Sequence, residues 1–459
     1  MHYHRAGWCR VLWGLSIVGI SLLAGRLAAE TRAEAKSESI FPYKVYQQSF
    51  PNGLKVIVVP LDSPGVATYW SIVRTGSRDE VEPGRSGFAH FFEHMMFRGT
   101  KKYPQDVYDD AVTSMGADSN AYTTDDYTAY HMTMAAEDLE RVVEIESDRF
   151  QNLSYGEQAF QTEAGAVYGE YRKSITSPFS LLEEKLHDIA FDVHTYKHTT
   201  IGFEADIKAM PKAYQYSLEF FRRFYRPDNV ILFIAGDVKP DTVFALVKKY
   251  YGDWKPGYEA PKVQPEPPQR GERRGSVDYP GRTLPLLQMS YKGDAFDTEN
   301  PDFVAAVLLG DLAFGETSEI YRKLVLNEQK VQMIGAFTPL NRDPPLFDIV
   351  SMVRDEKDLV AVQQQIEETL RKYQSEPPDK QRLEQLKSRY RYAFLMGLDS
   401  PKAVAEELAR LIAITGGVEA VDKYYRAMDR VEPADIVRAA RKYFIPERRT
   451  VIVLKGNNS

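Results

Sequence analysis

The sequence predicts an α+β protein made of two duplicated halves, each a mixed or antiparallel sheet backed by helices on one side. An amphipathic stretch that ends at a proline and runs into an apolar strand occurs at residues 220–236 and recurs at residues 439–456. A strand that runs into an amphipathic helix occurs at residues 130–150 and recurs at residues 347–373. Because both pairs keep the same order along the chain, we infer that one α+β unit has been duplicated.

A proline-rich segment separates the two halves. Prolines cluster with polar residues between Pro256 and Pro268, and this composition favours an extended, semi-rigid and exposed linker. We therefore place an N-terminal domain at residues 40–258, the linker at residues 259–275 and a C-terminal domain at residues 276–455. The chain has 459 residues, which exceeds one ordinary hydrophobic core and agrees with two domains.

Residues 1–35 have the pattern of a signal peptide. Arg5 and Arg10 precede an apolar stretch at residues 11–24, and small residues follow it. The stretch is short for a membrane span, so cleavage is expected, with an uncleaved N-terminal anchor as the alternative. The only cysteine, Cys9, lies in this segment. A mature chain without thiols suits a periplasmic or secreted protein.

Charge and motif content exclude several functions. The formal net charge is −7, and the absence of basic runs argues against binding to nucleic acid. The sequence contains no phosphate-cradling glycine loop and no serine-nucleophile elbow. Any catalytic chemistry must therefore come from other residues.

Two histidines and a glutamate form the candidate catalytic motif, which spans residues 90–94. On a helix, His90 and His94 lie one turn apart on one face, and Glu93 leans toward the same face. Two imidazole ligands and a general base are what hydrolysis by a metal-activated water requires. The alternative is a buried helix whose histidines only form hydrogen bonds within the core. Ser86 is the expected N-cap of this helix.

A third ligand is expected from an acidic pair downstream. Glu163 and Glu170 are seven residues apart, so on a helix they share a face and lie two turns apart. One of them could bind the metal while the other orients a ligand histidine. The alternative is an ordinary helix with acidic residues on its solvated face.

These motifs resemble the pitrilysin/insulinase family of zinc metallopeptidases, also called inverzincins. Within the family, the chain is most similar to bacterial periplasmic zinc peptidases and to the β subunit of the mitochondrial processing peptidase. The resemblance implies one zinc ion per chain, held by His90, His94 and Glu170. It also implies that Glu93 is the general base and Glu163 a supporting acid. Further motifs of the family follow at residues 98–104, 116–123, 194–202, 225–229 and 236–238.

The resemblance also implies a zinc-dependent endopeptidase in which two halves enclose a cavity. Such a cavity favours unfolded peptides or small polypeptides over folded proteins. Asn120, Ala121 and Tyr122 would bind the peptide as an added strand, whereas the alternative is a paired interior strand or a plain loop. Residues 303–310, at the matching place in the second half, are apolar. The second half is therefore expected to form a lid and substrate wall and no second catalytic centre.

One departure from the family leaves a second hypothesis open. Active members often use an arginine and a tyrosine from the second half to steady the substrate carbonyl. In the corresponding residues 319–333, Gln332 or Met333 stands where the tyrosine is expected, and Asn327 or Val325 stands near the position of the arginine. The chain could therefore need a related partner chain that supplies this pair, or act as a homodimer. The alternative function is a non-catalytic or partner-dependent subunit that binds peptides. We expect His194 and His198 to be structural or pocket-lining.

Overall fold

The structure, a computed structural model, describes residues 39–457, so the signal peptide predicted at residues 1–35 lies outside the described residues. Among the described residues, no helix has both the length and the apolar character needed to cross a membrane. Two sheets are present in this part of the chain. Their strands are β1 (Tyr46–Ser49), β2 (Lys55–Pro60), β3 (Val66–Val73), β4 (Asp118–Thr123), β5 (Thr128–Ala135), β6 (Val230–Gly236), β7 (Arg273–Tyr279), β8 (Leu286–Lys292), β9 (Val331–Phe337), β10 (Leu346–Val353) and β11 (Arg449–Gly456).

The helices lie between these strands in both halves. They are α1 (Phe88–Met95), α2 (Gln105–Ser114), α3 (Leu139–Asn152), α4 (Glu157–Ser174), α5 (Pro178–Ala190), α6 (Glu204–Ala209), α7 (Tyr214–Phe224), α8 (Pro240–Tyr251), α9 (Pro301–Phe314), α10 (Glu319–Tyr321), α11 (Leu359–Ser375), α12 (Lys380–Met396), α13 (Pro401–Thr415), α14 (Glu419–Arg430) and α15 (Pro433–Tyr443). A π-helical turn, Arg322–Asn327, continues α10.

The two sheets share one topology. The first has the strand order β1-β2-β6-β3-β5-β4 and the second the order β7-β11-β8-β10-β9. The pairs β2–β6 and β7–β11 are parallel, and all other neighbouring strands in these sheets are antiparallel. Without the additional edge strand β1, the strands of the two sheets correspond one to one. The predicted α+β fold with duplicated halves is confirmed.

The repeats found in the sequence are corresponding elements of the two halves. Helix α7 leads into β6 as α15 leads into β11, and β5 leads into α3 as β10 leads into α11. All residues of β6 are buried, because this central strand is covered on both faces. Such strands are typically continuous apolar runs, and Val-Ile-Leu-Phe-Ile-Ala-Gly fits that description.

Each sheet is covered on one face by helices of its own half and on the other face by a helix of the other half. Helix α13 from the second half packs against β3 and β6 of the first sheet, and α5 from the first half packs against β7 and β11 of the second. A Cβ atom on Gly275 would lie 2.3 Å from the terminal methyl group of Ile189, so a larger residue would require that side chain to shift. The sequence predicted helices on only one face of each sheet, whereas in this exchange of helices each sheet is covered on both faces.

The linker is more firmly held than its composition suggests. Residues 254–270 contain neither helix nor strand, but β7 begins at Arg273, inside the stretch assigned to the linker and before the predicted domain start at residue 276. The linker carboxylate of Glu266 accepts hydrogen bonds from the backbone N–H groups of Asp192, Val193 and His194, at 2.8–3.1 Å. The linker is therefore anchored to the first half.

Candidate metal centre

The N-terminus of helix α1 is capped by a residue that the local sequence does not identify. The N-cap is Gly87, which has a φ of 90°, and a Cβ atom there would lie 2.5 Å from the Ile201 carbonyl oxygen. The buried Glu80 carboxylate accepts hydrogen bonds from the N–H groups of Gly87 and Ala89, at 2.7 and 2.6 Å. Ser86 was predicted to cap the helix, but its hydroxyl donates to Asp206 Oδ2 at 2.6 Å. The prediction of Ser86 as N-cap is therefore wrong, and Glu80 supplies the acceptors instead.

Aromatic packing holds α1 in a fixed orientation. Phe88, Phe91 and Phe92 are fully buried on its core side, and the rings of Phe92 and Phe220 stack with centroids 5.0 Å apart. The half-buried imidazoles of His90 and His94 project from the same helix. Because the core side cannot rotate without losing this packing, the positions of both imidazoles are fixed.

The two histidines and Glu170 converge on one point. Glu170 Oε2 lies 3.6 Å from His90 Nε2 and 3.3 Å from His94 Nε2, and one candidate ligand atom from each residue lies within 4.8 Å of the other two. Ligands at zinc-to-ligand distances of about 2.0–2.1 Å in a tetrahedron lie about 3.3 Å apart. Two nitrogens and one carboxylate oxygen at this spacing fit a zinc ion that keeps one open position.

Helix α4 places the two glutamates on different sides of His94. Glu170 faces the Nε2 atoms of both histidines, whereas Glu163 Oε1 lies 2.9 Å from His94 Nδ1. The other carboxylate oxygen of Glu163 pairs with Arg98, whose Nη1 donates to Gln105 Oε1 at 3.1 Å. Arg98 was not predicted as a site residue, although it follows α1 directly in the sequence. Together Arg98 and Glu163 fix the orientation of the His94 ring.

The carboxylates of Glu163 and Glu170 favour a positive charge at the histidine cluster. Burial lowers the pKa of His90. Burial would also lower the pKa of His94, but hydrogen bonds with Glu163 and Glu170 raise it to about 10. Burial raises the pKa of Glu163, but its bonds to His94 and Arg98 outweigh this and lower it. An ionised Glu163 is therefore expected behind His94, and the negative field that stabilises a proton there would also stabilise a metal cation.

The candidate base and the predicted substrate strand lie side by side. Glu93 Oε2 accepts a hydrogen bond from Thr123 Oγ1 at 2.7 Å, a contact between residues far apart in the sequence that the motif alone does not indicate. Thr123 is the last residue of β4. Because β4 pairs only with β5 within the described sheet, it forms an edge. On this strand Asn120 is exposed and Ala121 is buried, and the ring of the half-buried Tyr122 packs edge-on against Trp70.

A polar pocket opens beside His90 and Glu170, with a volume of about 240 Å³. Two further acids line it, the exposed Glu183 and the half-buried Glu184. Burial raises the pKa of Glu184, which accepts a hydrogen bond from Tyr171 at 3.2 Å. Three carboxylates around a small pocket would attract a basic side chain.

His194 and His198 lie outside the cluster. His194 Nδ1 accepts from the backbone N–H of Tyr196, so its Nε2–H donates to Asp343 Oδ2 at 2.9 Å. The buried His198 has its Nε2 atom 3.8 Å from Glu80. Both contacts agree with the expected structural roles. In the segment where the family's tyrosine was sought, Gln332 is exposed and Met333 is half-buried on β9.

Comparisons with known proteins find related peptidases. The sequence profile described as "Insulinase (Peptidase family M16)" matches residues 56–203, and the profile "Peptidase M16 inactive domain" matches residues 214–390. "Zinc protease PqqE" of Helicobacter pylori is 28% identical over 455 residues, which cover 97% of this chain and 98% of that protein. The bovine mitochondrial-processing peptidase subunit beta is 30% identical over 285 residues, which cover 60% of this chain and 56% of the relative. The crystal structure of a protease from Helicobacter pylori superposes with a TM-score of 0.84 at 28% identity, and the match covers 90% of this chain and 99% of that one.

Proposed function

Because the chain belongs to the insulinase family of peptidases, family M16, we propose that it is a zinc-dependent endopeptidase for unfolded peptides or small polypeptides. The observation that carries the proposal is the convergence of His90, His94 and Glu170 within 4.8 Å, with Glu93 on the same helix. Three protein ligands with an adjacent carboxylate are the usual composition of a hydrolytic zinc site.

Each residue of the site would have a separate role in peptide hydrolysis. Bound zinc would lower the pKa of a water molecule and polarise the scissile carbonyl. Glu93 takes the proton of the attacking water and passes it to the leaving amine. Glu163 accepts from His94 Nδ1–H and so presents Nε2 as the ligand atom, while Arg98 holds Glu163 in place.

The substrate would lie along the edge of the first sheet. Strand β4 can pair with an extended peptide through main-chain hydrogen bonds, which give affinity without demanding a sequence. Asn120, Ala121 and Tyr122 belong to this strand. The acidic pocket with Glu183 and Glu184 would select a basic side chain near the scissile bond.

A partner-dependent role is the second candidate function. It is favoured by the end of residues 319–333, where Gln332 or Met333 stands at the position at which active family members often have a tyrosine. A related partner chain or a second copy of this chain would then supply an arginine and a tyrosine. Under either function, a periplasmic or secreted location follows from the signal-peptide pattern of residues 1–35.

Peptide turnover by wild type and by Glu93→Gln tests the function, with zinc content measured in both. Loss of the base is expected to lower kcat by about 10²–10⁴-fold at unchanged zinc content. Glu157→Gln, an exposed residue in the first turn of α4, is the matched control and should behave as wild type. Normal turnover by the zinc-loaded chain alone excludes a need for a partner. A zinc-loaded wild type as inert as Glu93→Gln contradicts an autonomous peptidase and favours the partner-dependent subunit.

A further inference from the structure

The carboxylate of Glu93 is held by a residue of the substrate strand. Thr123 Oγ1 donates to Glu93 Oε2 at 2.7 Å, and both side chains are half-buried. A hydroxyl donor fixes one oxygen of the carboxylate and leaves the second oxygen available to a water molecule. The contact therefore sets the direction in which Glu93 can accept a proton.

The pleat of β4 places Thr123 at this position. Side chains alternate between the two faces of a strand. Ala121 is buried in the core formed with α1, and Tyr122 points to the opposite face, where it meets Trp70. Thr123 therefore returns to the face of α1, against which β4 packs. The link to Glu93 follows from the backbone path and does not depend on a long, flexible side chain.

The turn after β4 is braced by the second half of the chain. Asn341 Nδ2 donates to Asp125 Oδ2 at 3.0 Å, and the backbone N–H of Arg342 donates to Asp126 Oδ2 at 3.0 Å. Asp126 is buried, and burial raises its pKa to about 6. These contacts fix the turn at residues 124–127 and hence the end of β4.

We propose that Thr123 is a positioning residue that holds Glu93 in its working orientation. The inference rests on the proposed function, because it concerns the base of that reaction. Removal of the hydroxyl should therefore affect turnover more than binding.

Three variants test the positioning role. Thr123→Val keeps the shape of the side chain and removes the hydroxyl, so kcat should fall about 10–100-fold, as when a supporting partner is lost. KM and zinc content should stay close to wild type, and Thr123→Ser should restore most of kcat. Thr133→Val is the matched control, because its hydroxyl lies on β5 and pairs with Thr68 at 3.2 Å.

A second readout separates this inference from the proposed function. Crystal structures of wild type and Thr123→Val without metal should show the Glu93 carboxylate displaced only in the variant. If wild type turns over peptides and Thr123→Val keeps the full kcat, the positioning role is wrong while the peptidase function stands. If zinc-loaded wild type is inert, the peptidase function fails. A Glu93 side chain that stays in place in Thr123→Val then overturns the positioning role independently of activity.

Discussion

Replacement of Asp343 by asparagine tests how the two halves of the chain are held together. Asp343 lies in the loop before β10 of the second half, and its carboxylate contacts two residues of the first half. Its Oδ2 accepts from Arg78 Nε at 2.6 Å and from His194 Nε2 at 2.9 Å. Asparagine keeps an acceptor oxygen and the side-chain shape, so Asp343→Asn isolates the contribution of the negative charge.

The structure gives the size of this contribution. Burial opposes ionisation of Asp343, but the bonds to His194 and Arg78 lower its pKa from 3.8 to about 2. One pKa unit corresponds to about 1.4 kcal/mol, so this lowering of the pKa would stabilise the folded state by roughly 2–3 kcal/mol before screening by solvent. A quarter of the side chain is exposed, and screening by solvent reduces the expected loss to about 1–2 kcal/mol.

The sign of the pH dependence follows from the lowered pKa. The folded state holds its proton less tightly than the unfolded state, so the stabilisation is present above pH 3.8 and is lost as the pH falls through about 2. Urea unfolding should therefore show a difference between wild type and Asp343→Asn at pH 7 that falls to about half at pH 3. Asp355→Asn, an exposed carboxylate bound to Lys357, is the control and should change stability little. Equal stability at pH 7, or a difference that grows at low pH, would refute the reasoning.

Two further predictions concern the site. Glu163→Gln removes the charge behind His94 and should weaken zinc binding about 10–100-fold, measured in competition with a chelator. The control variant Glu157→Gln, at an exposed position, should bind zinc as wild type does. Equal zinc affinity in the two variants would exclude the supporting role of Glu163. Glu184→Gln should lower kcat/KM by up to about fivefold for peptides with a basic side chain near the cleaved bond, as expected for a partly exposed ion pair. Neutral peptides should be unaffected, and an equal loss for both would place Glu184 outside the specificity pocket.

The sequence predicts the features that depend on local periodicity. The four-residue spacing of His90 and His94 and the seven-residue spacing of Glu163 and Glu170 place each pair on one helix face, and the structure has them on α1 and α4. The spacing alone left open which glutamate joins the two histidines, and the resemblance to the family implied Glu170. The structure places Glu170 between the two imidazoles because α4 crosses α1 at that point.

Periodic patterns in the sequence do not predict contacts between separate segments of the chain. Arg98 on Glu163, Thr123 on Glu93 and Glu80 at the start of α1 depend on how separate elements pack. Arg98 and Thr123 lie 65 and 30 residues from their partners in the sequence, and Glu80 lies in a separate turn before α1. The periodicity of a single helix or strand therefore does not reveal these contacts. The end of the linker could not be located either, because β7 is defined by its parallel pairing with β11 at the far end of the chain.

The exchange of helices explains why a half without the histidine motif is needed, beyond the expected role of lid and substrate wall. Helix α13 covers the face of the first sheet that carries Trp70, Ile72 and Phe233, all of which are buried in one core with the second half. Without α13, this face would be a large exposed apolar patch, which soluble proteins rarely tolerate. The second half also braces the turn after β4. It is therefore part of the framework that positions Glu93, and separation of the two halves would expose this core.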